Sequence, residues 1–126
     1  MQALLVLSAS AGFSGVALGA FGAHGLRKRL AHTDDGARRI EWWQTAATYH
    51  LVHALAIGLA ALVDAQLASR WPIFAAWSFT VGTVLFSGSL YAMALSGLRK
   101  LGAITPLGGL AFLAGWVCLL LAGLGG

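Results

Sequence analysis

The amino-acid sequence predicts an all-α integral membrane protein in which four transmembrane helices form an antiparallel bundle. Four apolar stretches, at about 3–23, 42–63, 71–95 and 102–124, reach the length of about 20 residues that a helix needs to cross a hydrocarbon core. All eight basic and four acidic residues lie between these stretches or at their edges. A backbone in lipid must satisfy its own hydrogen bonds, so each stretch is expected to be helical.

The composition fits a single transmembrane domain that spans residues 1–126. Hydrophobic residues make up 59% of the chain and charged residues 10%, against about 25% charged in a soluble domain. The sequence pI of about 10.0 could suggest a nucleic-acid ligand. The basic residues, however, lie in short segments beside the spans, so the lipid bilayer is the predicted partner and no nucleic acid is expected.

The basic residues also predict the orientation of the chain. The first connecting segment, predicted at 24–41, contains five basic residues, and the third, predicted at 96–101, contains two; the second contains one. Basic residues accumulate in cytoplasmic connections. The sequence therefore predicts a multi-pass protein of the cell membrane with segments 24–41 and 96–101 in the cytoplasm and both termini outside. The residues counted are Arg27, Lys28, Arg29, Arg38, Arg39, Arg99 and Lys100 against Arg70.

The second helix is predicted to begin before its apolar stretch. Thr33, Asp34 or Asp35 is a suitable N-cap for a helix that continues through Ile40 into the second span.

Small residues recur on one face of the spans when they are placed at helical intervals. Such faces let helices approach closely, because lipid offers no hydrophobic drive for helix association. The residues alone leave two partners open, another helix of the same chain or a second copy. The glycines predicted to serve helix packing are Gly12, Gly15, Gly19, Gly22, Gly88, Gly108 and Gly109.

Polar side chains within the spans form the second group of candidates. His50 and His53 lie well inside the second span, where ionisable groups are uncommon and usually functional. Alignment of antiparallel helices places hydroxyl-bearing residues of the third and fourth spans at similar depths. The sequence predicts one polar cluster in the inner half of the membrane, composed of His24, Tyr49, His50, His53, Ser87, Ser89, Tyr91 and Thr105.

Three interpretations of this cluster are open from the residues alone. Imidazoles are common ligands of metals and haem, although a zinc site needs three or four ligands and no carboxylate lies within the spans. A chain of His, Tyr and Ser could relay protons or pass a small solute, although the outer half of the spans is almost purely apolar. In the third interpretation the polar groups form a network in which they satisfy one another.

Catalytic chemistry finds no complete set of residues in the sequence. Ser87 and Ser89 lie within a span that has no turn to present a nucleophile and no acid to orient a histidine. Phosphate-binding and dinucleotide-binding loops are absent, and Cys118 is the single cysteine. We therefore expect no enzyme activity, no catalytic residue, no metal and no cofactor.

Four segments together resemble a known family of small membrane proteins. They are LGAFGAHGL at 18–26, TYHLVHALA at 48–56, GTVLFSGSLY at 82–91 and ITPLGGLAFLAGW at 104–116. They touch all four spans, and their combination resembles the family of domain of unknown function 423, called transmembrane protein 256 in animals.

The resemblance implies a four-span protein of bacterial inner membranes and of mitochondria-bearing organisms, and it implies no established reaction. We therefore predict a small integral membrane protein of unknown biochemical activity that is a structural or accessory component, with a homo-oligomer or a membrane complex as the open partners. The alternative is a His-based cofactor- or metal-binding protein, or a transporter of protons or small solutes. The motif positions that the resemblance carries over are Gly19, Phe21, Gly22, His24, Tyr49, His53, Ser87, Gly88, Ser89, Tyr91, Thr105, Pro106, Gly108, Gly109 and Trp116.

Overall fold

Four long helices and short turns make up the computed structural model, which describes all residues from 1 to 126. Each helix is long and apolar enough to cross a membrane. Successive helices are joined by turns of a few residues and are therefore antiparallel. The predicted all-α transmembrane bundle is confirmed. Its helices are α1 (Gln2–Arg29), α2 (Gly36–Asp64), α3 (Trp71–Ser96) and α4 (Thr105–Gly123), and a 3-10 turn at Arg99–Ala103 precedes α4.

Helix α2 lies at the centre of the bundle. Helices that are consecutive in the chain pack against each other along much of their length: α1 packs on α2, α2 on α3, and α3 on α4. In the most apolar part of α2, 50% of the residues are buried, against 11% in α1 and 17% in α4. Helices α1 and α4 are therefore peripheral, and most of their apolar surface faces outward, where the bilayer lies.

The first connecting segment is shorter than the predicted 24–41. Helix α1 continues through Arg29 and α2 begins at Gly36, which leaves 30–35 between them. Asp35 immediately precedes the helix, as an N-cap would, but its side chain makes no capping hydrogen bond. Its carboxylate instead lies 3.7 Å from the Arg39 guanidinium, one turn further along α2.

Arg39 connects the start of α2 to the end of α3. Its Nε atom donates to the carbonyl oxygen of Ala94 at 2.7 Å, and Nη2 donates to that of Leu95 at 2.6 Å. The last carbonyl groups of a helix have no hydrogen-bond partner within the helix and carry partial negative charge. A guanidinium both donates the missing hydrogen bonds and supplies a positive charge. Helix α3 ends at Ser96, and the following residue, Gly97, adopts a left-handed conformation with φ 74°.

Helices α1 and α3 each contain a π-helical turn that the apolar pattern does not predict. The turns lie at Gly22–Leu26 and Thr83–Ser87. A π turn widens the helix by one residue and rotates the residues on its two sides relative to each other, and such turns are frequent at functional sites. Both turns lie where α1 or α3 contacts a bulky aromatic side chain or a main-chain carbonyl of a neighbouring helix.

Close approach between helices depends on three of the predicted packing glycines. Gly22 lies against the indole of Trp43, and Gly108 lies against the backbone of Phe86, so neither position has room for a Cβ. At Gly15 a Cβ would come within 2.8 Å of a methyl carbon of Leu51. Each of these contacts joins two neighbouring helices.

The other four predicted glycines have more space. A Cβ at Gly19 or Gly109 would have its nearest neighbour at 3.9 or 4.0 Å, an ordinary contact. Gly12 and Gly88 have no atom within 4 Å of such a Cβ, so no helix packs against them. Two glycines that the prediction omitted do pack closely, Gly82 against Phe112 and Gly115 against Phe79.

The Gly108 contact gives a direct test of α3–α4 packing. A Gly108→Ala substitution should lower the free energy of unfolding by about 1–3 kcal/mol, because the added methyl group meets rigid backbone at Phe86 rather than a movable side chain. The measurement is a denaturant titration in mild detergent followed by circular dichroism. Gly109→Ala is the matched control and should leave the midpoint unchanged or slightly higher. Equal losses at both positions would contradict the packing described here.

Candidate functional site

The predicted polar residues do not form one cluster. Seven of the eight lie between helices, and they are divided among separate hydrogen-bonded contacts on the two sides of α2 and between α3 and α4. His50 and His53 are three residues apart on α2, so their side chains diverge by about 60° around the helix axis. His50 faces α1 and α3, whereas His53 faces α3 and α4.

His50 is the centre of a hydrogen-bonded chain that joins three helices. Its Nε2 atom lies 3.2 Å from Ser14 Oγ on α1, and its Nδ1 atom lies 3.0 Å from the hydroxyl oxygen of Tyr91 on α3. The imidazole is buried, with 7% of its surface exposed. The ring of Tyr91 is itself packed against Trp43, with ring centroids 4.5 Å apart. We call this set the Ser14–His50–Tyr91 chain.

This chain has two self-consistent arrangements of its hydrogens. In the first, Ser14 donates to the carbonyl oxygen of Ser10 at 2.9 Å or of Ala11 at 3.1 Å. His50 Nε2–H then donates to Ser14, and Tyr91 donates to Nδ1. In the second, Ser14 donates to Nε2, and Nδ1–H donates to Tyr91. A neutral imidazole has one donor and one acceptor, so both arrangements satisfy His50.

His53 is held in one arrangement only. Its Nδ1 atom lies 2.8 Å from the Tyr49 carbonyl oxygen, which can only accept, so Nδ1 carries the hydrogen. Nε2 is then an acceptor, and it receives the indole N–H of Trp116 on α4 at 3.3 Å. The ring also stacks on Phe112 with centroids 3.5 Å apart and planes within 7°. We call this set the His53–Trp116 contact.

The hydroxyl residues of α3 bond to the helices on both sides of it. Ser87 Oγ is buried and donates to the Ala46 carbonyl oxygen of α2 at 2.8 Å. Ser89 Oγ lies 2.6 Å from Thr105 Oγ1 at the start of α4. Ser87 is the last residue of the π turn of α3, and its hydroxyl group lies against α2. The next turn of the helix contains Ser89, whose hydroxyl group faces α4.

Two predicted residues are not used in these contacts as expected. His24 lies in the π turn of α1 and is exposed, away from the other seven. Tyr49 contributes its carbonyl oxygen to His53 and its ring to Phe86, with centroids 4.5 Å apart. Its hydroxyl group has no protein partner, and 42% of the residue's surface is exposed.

The polar cluster predicted from the sequence omitted Ser14, Ser8 and Trp43. Ser14 lies on a strip of α1 adjacent to the glycine face, and the spacing of four residues between Ser10 and Ser14 is the signal that could have indicated it. Ser8 donates to the Ala54 carbonyl oxygen at 2.8 Å. Trp43 is buried, and its Nε1–H donates to the Leu18 carbonyl oxygen at 2.7 Å.

The arrangement links helices by directional bonds. Every buried side-chain nitrogen and oxygen has a hydrogen-bond partner. No group of three or more His, Cys, Asp or Glu side chains converges, and the two buried imidazoles have separate sets of partners. The buried donor and acceptor groups at membrane depth therefore bond mainly to neighbouring helices, whereas the hydroxyl groups of Thr80 and Thr83 bond within α3.

Four membrane-length helices joined by hydrogen bonds at depth define a small polytopic membrane protein. The comparisons agree with this class. The chain belongs to the family described as protein of unknown function DUF423, whose profile matches residues 18–109. The family expected from the sequence is thus confirmed, and the chain is a multi-pass inner membrane protein of unknown biochemical activity.

Relatives from distant bacteria match almost the whole chain. UPF0382 inner membrane protein YgdD of Escherichia coli (strain K12) is 47% identical over 118 residues, which cover 93% of this chain and 86% of that protein. UPF0382 membrane protein YwdK of Bacillus subtilis (strain 168) is 37% identical over 123 residues, or 97% and 96% of the two chains. UPF0382 membrane protein SH2409 of Staphylococcus haemolyticus is 37% identical over 124 residues, 97% of this chain and 95% of that protein. No solved structure matches the chain.

The His53–Trp116 contact predicts the tautomer of His53. In ¹⁵N-labelled protein at neutral pH, the imidazole should show a protonated Nδ1 and an unprotonated Nε2, because the Tyr49 carbonyl oxygen can only accept. Nitrogen NMR shifts of the ring distinguish the two tautomers. His32, in the exposed first connecting segment, is the control and should show averaging between both. A His53 ring with its hydrogen on Nε2 would contradict the contact.

Proposed function

We propose that the protein is a non-enzymatic accessory component of the inner membrane, in which polar side chains determine how the helices are arranged. The observation that supports this proposal is the use of these side chains between helices. Ser8 of α1 and Ser87 of α3 each donate to a main-chain oxygen of α2 at 2.8 Å. In lipid, association depends on such bonds and on close packing rather than on a hydrophobic drive.

The peripheral helices offer the surface for partners of the proposed component. Helices α1 and α4 expose large apolar side chains, among them Phe13 on α1 and Leu120 on α4, at 80% and 61% of their surface. Lipid covers such side chains in a membrane. A second copy or another membrane protein would bind at the same faces, since α1 and α4 have the smallest buried shares of the four helices.

The structural role predicts small, specific losses of stability. Ser87→Ala should lower the free energy of unfolding in detergent by about 0.6 kcal/mol, and by no more than about 1.7 kcal/mol, because one inter-helix hydrogen bond is lost at membrane depth. Thr80→Val is the matched control: Thr80 is on the same helix, but its hydroxyl group donates only to the Ala76 carbonyl oxygen of its own turn, so stability should not fall.

The non-enzymatic part of the proposal has a separate test. Purified protein in mild detergent, offered membrane lipids and quinones, should show no turnover that depends on His50 or His53. Turnover abolished by His50→Ala or His53→Ala, with the protein still folded, would replace the accessory role by a catalytic one.

We further propose that both termini lie outside the cytoplasm and that segments 24–41 and 96–101 lie inside. The support is the distribution of basic residues, seven at one end of the bundle and one at the other. The end that carries the short turn 30–35 is also the end where Arg39 satisfies the α3 carbonyls. This placement puts both imidazoles close to the middle of the bilayer, with His50 nearer the cytoplasmic side.

A reporter fused after Gly126 tests the orientation. We expect alkaline phosphatase to be active there and green fluorescent protein to be dark, because the former needs the oxidising outer compartment and the latter the cytoplasm. The reverse pattern would place the basic end outside and would put His53 nearer the cytoplasm than His50. The same reporters inserted into 30–35 should give the opposite result from Gly126.

A further inference from the structure

A lateral groove lies between α1 and α3, with α2 as its floor. Its volume is about 430 Å³, within the range of about 300–1,000 Å³ typical of small-molecule sites. Leu7, Leu18 and Val84 are among its apolar lining residues. All three members of the Ser14–His50–Tyr91 chain line it as well, so the groove joins an apolar space to a hydrogen-bond system that can reverse its direction.

The hydrogen-bond chain can offer either a donor or an acceptor to an occupant of the groove. When Nδ1–H of His50 donates to Tyr91, the Tyr91 hydroxyl hydrogen has no protein acceptor. When Tyr91 donates to Nδ1, its oxygen still has a free lone pair. In the first case the Tyr91 hydroxyl group can donate to a carbonyl oxygen of a ligand. In the second case its oxygen can accept from a hydroxyl group of a ligand.

Gly88 keeps this groove open. It lines the groove, and a Cβ at this position would have no atom within 4 Å. Helix packing therefore gives no reason for a glycine there, in contrast to Gly108 on α4, which packs against Phe86. A larger side chain at position 88 would extend into space that is now unfilled.

The surroundings of the groove favour a neutral occupant from within the membrane. None of its lining residues is Lys, Arg, Asp or Glu. The nearest charged residue along α2 is Glu41, which lies about 13 Å from His50 by the helical rise. A phospholipid keeps its charged head and ester groups at the interface, whereas a lipid with an uncharged head can enter the hydrocarbon region.

We propose that the groove between α1 and α3 binds a neutral, lipid-dissolved molecule whose head presents a carbonyl or hydroxyl oxygen to Tyr91 and whose apolar tail extends towards Leu7 and Val84. Two kinds of membrane molecule share this chemistry. Quinones and quinols carry a carbonyl or a hydroxyl group on a ring, and neutral glycerides carry ester carbonyls and a free hydroxyl group. This inference is independent of the accessory role, because it requires binding and no turnover.

The test measures binding by the full chain in neutral phosphatidylcholine nanodiscs. The probes are a decyl-substituted benzoquinone, its quinol, didecanoylglycerol and, as a probe without oxygen, decylbenzene. Thermal stabilisation as a function of probe concentration yields the dissociation constant, since a ligand that binds the folded state raises its stability. Gly88→Leu fills the groove, and Gly12→Leu is the matched control, because Gly12 is equally free of neighbours but lies outside the lining.

We expect saturable binding of an oxygen-containing probe that Gly88→Leu abolishes and Gly12→Leu preserves. Tyr91→Phe keeps the ring but removes the hydroxyl group, and it should weaken this binding about tenfold, the effect of one hydrogen bond. Tyr91→Phe should leave the binding of decylbenzene unchanged. Unchanged decylbenzene binding would show that the variant is folded and has lost only recognition of the head.

The outcomes distinguish the ligands and the proposal itself. Binding of the quinone pair alone identifies a quinone site, binding of the glyceride alone identifies a glyceride site, and binding of both supports the shared chemistry. Decylbenzene binding as tightly as the oxygen-containing probes would overturn head recognition. Failure of every probe to bind, or equal binding by the Gly88→Leu and Gly12→Leu variants, would overturn the site.

Discussion

The arrangement of this protein depends on the polar contacts that α2 makes with the helices on either side of it. In a bilayer, apolar side chains gain little by leaving lipid for another helix, so the Leu- and Val-rich surfaces do not define which faces meet. Hydroxyl, imidazole and indole groups define which faces meet, because each needs a hydrogen-bond partner at a particular position and direction. Ser8, His50 and Ser87 bond α1 and α3 to α2, and the glycines beside these bonds allow the backbones to approach.

The two histidines of α2 show how environment assigns different properties to the same side chain. His53 is stacked on aromatic rings and faces a carbonyl oxygen, so its hydrogen has one position. His50 lies between two hydroxyl groups, each of which can donate or accept, so its hydrogen can be on either nitrogen. The imidazole with one hydrogen position is stacked on Phe112, and the imidazole whose hydrogen can be on either nitrogen lines the groove between α1 and α3.

The sequence was sufficient for the helices and only partly sufficient for the site. A run of 20 apolar residues without charge has few alternatives to a spanning helix, so four helices followed from length and composition. The faces were predicted from an ideal 100° spacing, and this spacing fails at the π turns. His24 lies in such a turn and is exposed, although it was expected beside His50. Glycine is a further limit, because the residue type is the same whether it adjoins an indole, as at Gly22, or empty space, as at Gly88.

The bond between Arg39 and the end of α3 has a consequence for the order in which the protein is made. Arg39 is synthesised with the first helical hairpin, but its acceptors, the carbonyl oxygens of Ala94 and Leu95, are 55 and 56 residues later in the chain. Until α3 is inserted, the guanidinium remains hydrated at the membrane surface and helps to retain that end of α2 there. Closure of this bond therefore coincides with arrival of the second hairpin, and the charge that anchors the first hairpin during insertion becomes a joint of the finished bundle.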